Sequence, residues 1–169
     1  IKRHLAWEKL NFDSDNDNLY DAYCCIWASD ALYYSDGAVT HSSAYNYRGN
    51  LLAAKIAERI GEDAEPYRRE AEAIRKAMNE RLWLAGKEAY GPKPSDIMTG
   101  KQIPTPNHWA EYQDKLGGQR KHPDAALWSV YTPIDCGVGS PVQMYEATQY
   151  VTRHIPHIDV EIAGQEHSG

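Results

Sequence analysis

Two carboxylic residues in the second half of the chain stand close to aromatic residues, a setting that alters acid–base chemistry. Glu111 lies between Trp109 and Tyr112, and Asp114 follows it along the same segment. Burial beside aromatic rings disfavours the charged form of a carboxyl group, so the sequence predicts a raised pKa for Glu111. A carboxyl group with a raised pKa can serve as a general acid near neutral pH. The competing interpretation is that both residues are solvated loop acids.

A second group of candidates combines polar and aromatic side chains at helical spacing. His41, Tyr45 and Arg48 follow one another at intervals of four and three residues, and Asn46 lies beside them. Residues at this spacing share one face of a helix. A face of this kind could bind sugar hydroxyl groups. The alternative is that these side chains cap the helix and form hydrogen bonds to a neighbouring helix.

Three further aromatic residues are candidates for contact with a sugar ring. Trp27 and Trp109 could serve as stacking platforms, and Tyr112 adds a third ring beside Glu111. The chain has 12 Tyr and 5 Trp but only 1 Phe. Tyr and Trp combine an apolar ring with a polar tip, which suits wet clefts as well as protein cores. Packing in the core or at its rim is the alternative for each of them.

Neither the histidines nor the cysteines are arranged as a metal site. The three cysteines are an odd number, which argues against a disulfide framework and favours buried apolar roles. They are Cys24, Cys25 and Cys136. The spacing of His122, His154 and His157 does not match known zinc sites. No cysteine or acidic residue lies at a spacing that would complete a metal site with these histidines. The sequence therefore predicts no metal and no cofactor.

Helical patterns dominate the elements that would position these residues. Apolar periodicity, caps and breaking residues predict helices over residues 18–34, 40–60, 63–84 and 140–154. Glycines and prolines make residues 86–107 a long irregular excursion, and Thr132-Pro133 predicts a turn. Weak alternation near residues 157–163 is consistent with a terminal strand. Short connections between helices favour antiparallel helical hairpins and an all-α fold.

The bulk properties exclude several classes of protein. The net charge of −6 and the absence of a basic run disfavour nucleic acid binding, which needs clustered Lys and Arg. No stretch approaches the roughly 18 consecutive apolar residues of a membrane-spanning helix. A charged fraction of 25% beside 42% hydrophobic residues is typical of a globular chain.

Several runs of the chain resemble the six-hairpin glycosidases. The runs in the first half of the chain are residues 27–33, 36–37, 41–48, 53–61 and 67–84, of which the segment NERLWL at residues 79–84 is the most specific. Two later segments, at residues 109–117 and 131–135, resemble an uncharacterised secreted branch of that clan. The resemblance spans about residues 18–160.

This resemblance implies an (α/α)6 toroid of six helical hairpins. Because the chain supplies only four or five predicted helices, we expect residues 1–169 to form a single partial domain. Its parts would be hairpins over residues 18–84, a loop excursion over 86–123 and a helical segment over 124–169. The remainder of the toroid or a second chain would then cover the exposed helix faces.

The resemblance also implies glycoside hydrolysis, which generally uses two carboxyl groups. Its candidate catalytic residues here are Glu111, Asp30 and Asp114. Asp30 could instead form a hydrogen bond to the turn that ends its predicted helix. The substrate would be an oligosaccharide or polysaccharide, and the location would be extracellular or periplasmic.

Two alternatives stay open. His41, Tyr45, Asn46 and Arg48 supply the residue types of a polysaccharide lyase on the same toroid. The domain could also be a noncatalytic sugar-binding or scaffolding module.

Overall fold

The computed structural model describes residues 1–22, 37–92, 102–116, 118–155, 159–162 and 165–168. The predictions for Trp27, Asp30, Cys24 and Cys25 therefore lie outside the described residues. Within these ranges the chain forms five α-helices and ten short strands. The helices are α1 (Lys2–Phe12), α2 (Thr40–Arg59), α3 (Glu65–Ala77), α4 (Leu127–Cys136) and α5 (Pro141–His154).

Helices α2 and α3 form an antiparallel hairpin, as the sequence predicts. Gly61 follows α2 with a φ of 72°, a left-handed conformation that glycine adopts readily and that ends the helix. Pro66 stands in the first turn of α3, where its missing N–H group leaves no helical hydrogen bond unmade. The chain then continues through a π-helical turn, Met78–Leu82.

Helix α5 begins and ends where the sequence predicts. The Ser140 side chain accepts a hydrogen bond from the backbone N–H of Gln143, whose own side chain bonds back to Ser140. This capping box satisfies two N–H groups that the helix itself leaves unpaired. In α4, by contrast, the turn predicted at Thr132-Pro133 is wrong, because the helix passes through Pro133 and ends at Gly137.

The prediction of an all-α fold is wrong, because the molecule is a mixed structure with a four-stranded antiparallel sheet beside the helices. The order in the sheet is β1 (Asp21–Ala22), β2 (Gly37–Val39), β7 (Tyr112–Asp114) and β8 (Lys121–His122). Residues 86–123, predicted to be irregular, contain strands that pair partly with one another and partly with segments that precede the excursion. Strand β7 pairs with β2, which precedes it by more than 70 residues.

The remaining strands form three two-stranded ladders. Strand β3 (Trp83–Leu84) pairs with β6 (His108–Trp109), and β4 (Tyr90–Pro92) pairs with β5 (Gln102–Pro104). Strands β9 (Asp159–Ile162) and β10 (Gln165–Ser168) form a terminal hairpin in the region where the sequence predicts a strand. Through β6, the excursion packs against α4 and α5.

The N-terminal region differs from its prediction. The sequence treats residues 1–14 as a lead-in and residues 18–34 as a helix that aspartates would cap. In the structure the lead-in contains α1, whereas the described part of the predicted helix is a loop followed by β1. Asp13 therefore caps the C-terminal end of α1, and its side chain accepts a hydrogen bond from the backbone N–H of Asn18.

The main core lies between the α2–α3 hairpin, α4, α5 and the strands. Its largest fully buried members are Trp109, Tyr20, Tyr150, Leu19, Ile74, Met78 and Leu82. None of the helices in the described ranges combines the length and the apolar character that a membrane crossing requires.

Candidate active site

The candidate active site is built on the β7–β8 hairpin. In its register Tyr112 lies opposite His122 and Gln113 lies opposite Lys121. Directly opposed residues on an antiparallel pair share one face of the sheet. The rings of Tyr112 and His122 stack with centroids 4.0 Å apart and an angle of 11° between their planes. The strand pairing therefore fixes the position of the His122 imidazole.

Asp114 fixes the orientation of that imidazole. His122 Nε2 lies 2.5 Å from Asp114 Oδ1, and Arg120 Nε donates to Asp114 Oδ2 at 3.0 Å. Burial acts to raise the pKa of Asp114, but the bonds from His122 and Arg120 outweigh it and hold the pKa below its ordinary value. An ionised carboxylate only accepts, so His122 Nε2 carries the proton in this contact. Nδ1 is then the ring nitrogen available for proton exchange with a ligand.

The loop that follows β8 is held in place by hydrogen bonds from two separated segments, residues 108–111 and helix α5. The backbone N–H of Glu111 donates to His122 O at 2.7 Å, and a Glu111 carboxylate oxygen accepts from the backbone N–H of Ala126 at 2.8 Å. His108 Nε2 lies 2.7 Å from Pro123 O, and the Tyr150 hydroxyl donates to Ala125 O at 3.1 Å. These bonds fix the backbone around Asp124.

The Asp124 carboxyl group faces His154 across Gly91. A Cβ atom added to Gly91 would lie 2.5 Å from His154 Nε2 and 3.3 Å from Asp124 Oδ1. Both groups therefore converge on one point, and a side chain at position 91 would displace the His154 ring. Much of the Asp124 residue is open to solvent, but its carboxyl group is enclosed on the Gly91 side.

The pKa values of Asp124 and Asp114 are displaced in opposite directions. Burial of its carboxyl group raises the pKa of Asp124, and the nearby His154 and His122 offset this only in part. The pKa of His154 is lowered by burial, which the charge of Asp124 counteracts incompletely. Two carboxyl groups whose pKa values are pushed apart are suited to separate acid and base roles. Of the two, Asp124 keeps its proton to a higher pH than Asp114 does.

His122 and Asp124 both open onto one cleft of about 600 Å³, which we call the His122 cleft. Its wall also contains Leu84, Tyr90 and four charged side chains. The charged side chains are Lys87, Glu88, Arg120 and Lys121. The volume is within the range of small-molecule sites in proteins. A carboxyl group with a raised pKa, an imidazole and several charged groups thus line one accessible space.

Glu111, the leading catalytic candidate from sequence, lies beneath this site. It is 6% exposed, and its carboxylate accepts the Ala126 N–H at the start of α4. This contact satisfies one of the N–H groups that the helix leaves unpaired. In this position Glu111 stabilises the loop that carries Asp124.

The aromatic candidates occupy different environments. Trp109 is fully buried in the main core, and its ring packs against that of Trp83 with centroids 4.7 Å apart. It therefore has no exposed face for a sugar ring in this structure. Tyr112 is partly exposed and contacts the site through His122.

The polar face predicted on α2 is divided between three locations. His41 is buried, and Arg48 forms a surface ion pair with Asp135. Tyr45 and Asn46 line a separate cleft of about 440 Å³ between α1, α2 and β1. The structure therefore does not gather the four residue types expected of a lyase.

Burial of His41 predicts a loss of stability in mild acid. Burial lowers the pKa of His41 to about 4, whereas an unfolded histidine titrates near 6.5. Below pH 6.5 the unfolded state therefore binds a proton that the folded state excludes. The free energy of unfolding decreases as the pH is lowered from 6.5 towards 4. We expect a contribution of about 2 kcal/mol between pH 7 and pH 5, measurable by urea unfolding.

The matched variant is His41→Gln, which cannot titrate. Its free energy of unfolding should fall less than that of the wild type over the same pH interval. A residual slope will remain, because burial also lowers the pKa of His108 and of His154. Equal slopes in the two proteins would show that His41 is not the group responsible.

One group of carboxylates in the described ranges is close enough to share a cation. The side-chain oxygens of Asp13, Asp15 and Asp17 lie within 4.8 Å of one another. Each already has a basic partner from the protein, however. Lys9 pairs with Asp13 at 2.8 Å, Lys115 pairs with Asp15 at 3.3 Å, and Arg81 pairs with Asp17. The protein's own cations thus compensate the charge of this group.

Comparison with known proteins gives no relative from which a role could be carried over. No family model, no curated protein and no solved structure matches the chain. The assignment of functional residues therefore depends on the geometry described above.

Proposed function

We propose that this chain is part of a glycoside hydrolase in which Asp124 is the acid and His122, oriented by Asp114, is the base. The observation that supports this proposal is the opposite displacement of the pKa values of Asp124 and Asp114 beside one cleft. Glycoside hydrolysis needs a protonated group and an acceptor in the same site at the same pH. The His122 cleft contains a carboxyl group whose pKa is raised and, in His122, a side chain that can accept a proton.

In the proposed reaction Asp124 donates its proton to the glycosidic oxygen as the bond from that oxygen to the anomeric carbon breaks. His122 Nδ1 takes a proton from a water molecule, whose oxygen forms the new bond to the anomeric carbon. One water is consumed, and the products are a new reducing end and a free hydroxyl group. Exchange with solvent then returns one proton to Asp124 and removes one from His122.

A second candidate, elimination by a polysaccharide lyase, deserves a test because the proposed base is a histidine. Histidine is the side chain that most often transfers protons in catalysis, including proton abstraction from carbon. In this reaction His122 would remove a proton beside a sugar carboxylate while Asp124 protonates the leaving oxygen. No water is consumed, and one product carries a carbon–carbon double bond.

Mass spectrometry of the products tests the proposal and separates the two reactions. The purified protein is incubated with neutral and uronate-containing oligosaccharides, and the masses of all products are measured. Hydrolysis predicts product masses that add up to the substrate plus one water. Products that add up to the substrate alone, with new ultraviolet absorbance, would replace hydrolysis by elimination. Unchanged oligosaccharides throughout the panel would contradict both and leave a binding role.

A further inference from the structure

The His122 cleft differs in charge from the rest of the chain. The whole sequence has 24 acidic and 18 basic residues, a net charge of −6. Around the cleft, Lys87, Arg120 and Lys121 outnumber Glu88 and Asp124. The side chains that line the cleft therefore sum to +1, with Arg120 bonded to Asp114 behind it, on a chain whose net charge is −6.

The basic groups are held towards the cleft by the protein. Lys121 is partly buried, and its Nζ atom lies 3.1 Å from Glu88 Oε2 and 3.5 Å from Trp83 O. Arg120 uses its Nε donor on Asp114, while its side chain is 74% exposed. A guanidinium group carries five N–H donors in a planar fork that matches a carboxylate. Its terminal nitrogens can therefore approach a ligand without leaving Asp114.

We propose that the His122 cleft binds an acidic saccharide, with a uronate carboxylate between Arg120 and Lys121. Tyr90 lines the same space and offers an aromatic ring to the apolar face of the sugar. The carboxylate would sit within the positive part of the cleft, beside the proton-transfer groups His122 and Asp124. The identification of the ligand as a saccharide rests on the proposed function, whereas the preference for negative charge rests on the cleft itself.

Calorimetric binding tests this inference directly. The probes are tetragalacturonate and its fully methyl-esterified form, which has the same sugar backbone without the charge. We expect the acid to bind at least about tenfold more tightly, since hydrogen bonds to charged groups are the stronger ones. High salt should reduce this difference because it screens charges in an open cleft.

The variant Lys121→Gln should remove most of the preference for the acid, and Lys87→Gln should reduce it less. Lys76→Gln, on the exposed face of α3, is the matched control and should bind like the wild type. Circular dichroism verifies that each variant is folded. Equal affinity for the acid and the ester, tighter binding of the ester, or no binding of the acid would each overturn the inference.

The same samples distinguish failure of this inference from failure of the proposed function. A neutral oligosaccharide that is hydrolysed while the acid is not bound would overturn the inference and leave hydrolysis standing. If the acid binds preferentially but no products form, the result would support the inference and contradict the hydrolytic function.

Discussion

Asp124→Asn should lower turnover of a cleaved oligosaccharide by about 10²–10⁴-fold, the usual contribution of a general acid. Asparagine keeps the size of the side chain but cannot donate a proton to the leaving oxygen. The loss should appear mainly in kcat, because the interaction that is removed forms in the transition state. The raised pKa of Asp124 predicts that wild-type activity declines as the pH rises through that pKa. Steady-state kinetics across a pH series measures both effects.

The matched control for this experiment is Asp135→Asn. Asp135 is an exposed acid on α4 that pairs with Arg48, and it is not among the residues that line the His122 cleft. Turnover in this control should match that of the wild type. Glu111→Gln provides a second comparison, since its amide oxygen can still accept the Ala126 N–H. If turnover fell steeply in Glu111→Gln but only slightly in Asp124→Asn, Glu111 would be the general acid in place of Asp124.

Gly37→Ala should destabilise the fold by about 3 kcal/mol, the upper part of the range for overpacked positions. A Cβ atom at Gly37 would lie 2.1 Å from Gln113 O and 2.6 Å from Lys115 N. Both are backbone atoms of β7 or of the residue after it, so no side-chain rotation can relieve the clash. Strand β2 would have to separate from β7, which carries Asp114. Urea unfolding measures the change in stability.

Gly49→Ala is the opposite case on α2. There an added Cβ atom would lie 3.6 Å from Leu5 Cδ2, an ordinary van der Waals contact. Alanine is favoured over glycine inside a helix by up to about 1 kcal/mol, so this variant should be more stable than the wild type. If both substitutions changed the free energy of unfolding equally, the close approach of β2 and β7 would not be the cause of the instability of Gly37→Ala.

The helices could be predicted from sequence where their signals are local. In α3 the spacing of apolar residues and Pro66 in the first turn, and in α5 the Ser140 capping box, depend on residues within one or two turns. Helix α1 lacked such signals, because no side chain caps its start and none of its residues is fully buried. Its stability depends on contacts made outside its own turns, including the pairing of Lys9 with Glu70.

The sheet could not be predicted because its strands are short and their partners are distant. A two-residue or three-residue strand shows too little alternation to stand out from a loop. The hairpin β7–β8 did leave a local signal, since Gly117-Gly118 separates two segments and pairs of glycines favour hairpin turns. A hairpin predicted for this segment would place Tyr112 near His122.

The candidate site was only partly accessible from sequence for the same reason. The sequence predicts Asp114 as a candidate beside aromatic residues, but for His122 it excludes only a metal site and indicates no pairing with Asp114. In the structure His122 meets Asp114, and His154 faces Asp124 from a helix that begins 17 residues later. The convergence at Gly91 arises from the pairing of β4 with β5, for which the sequence contains no local pattern.

The most direct test of the account is the ionisation of Asp124 and Asp114 in the folded protein. Carbon-13 NMR of aspartate-labelled protein, titrated over acidic to neutral pH, measures each carboxyl pKa. Spectra of Asp124→Asn and Asp114→Asn assign the two signals. The account predicts a pKa above the ordinary aspartate value for Asp124 and below it for Asp114. Ordinary values for both residues, or the reverse order, would contradict the division of acid and base roles on which the proposed function depends.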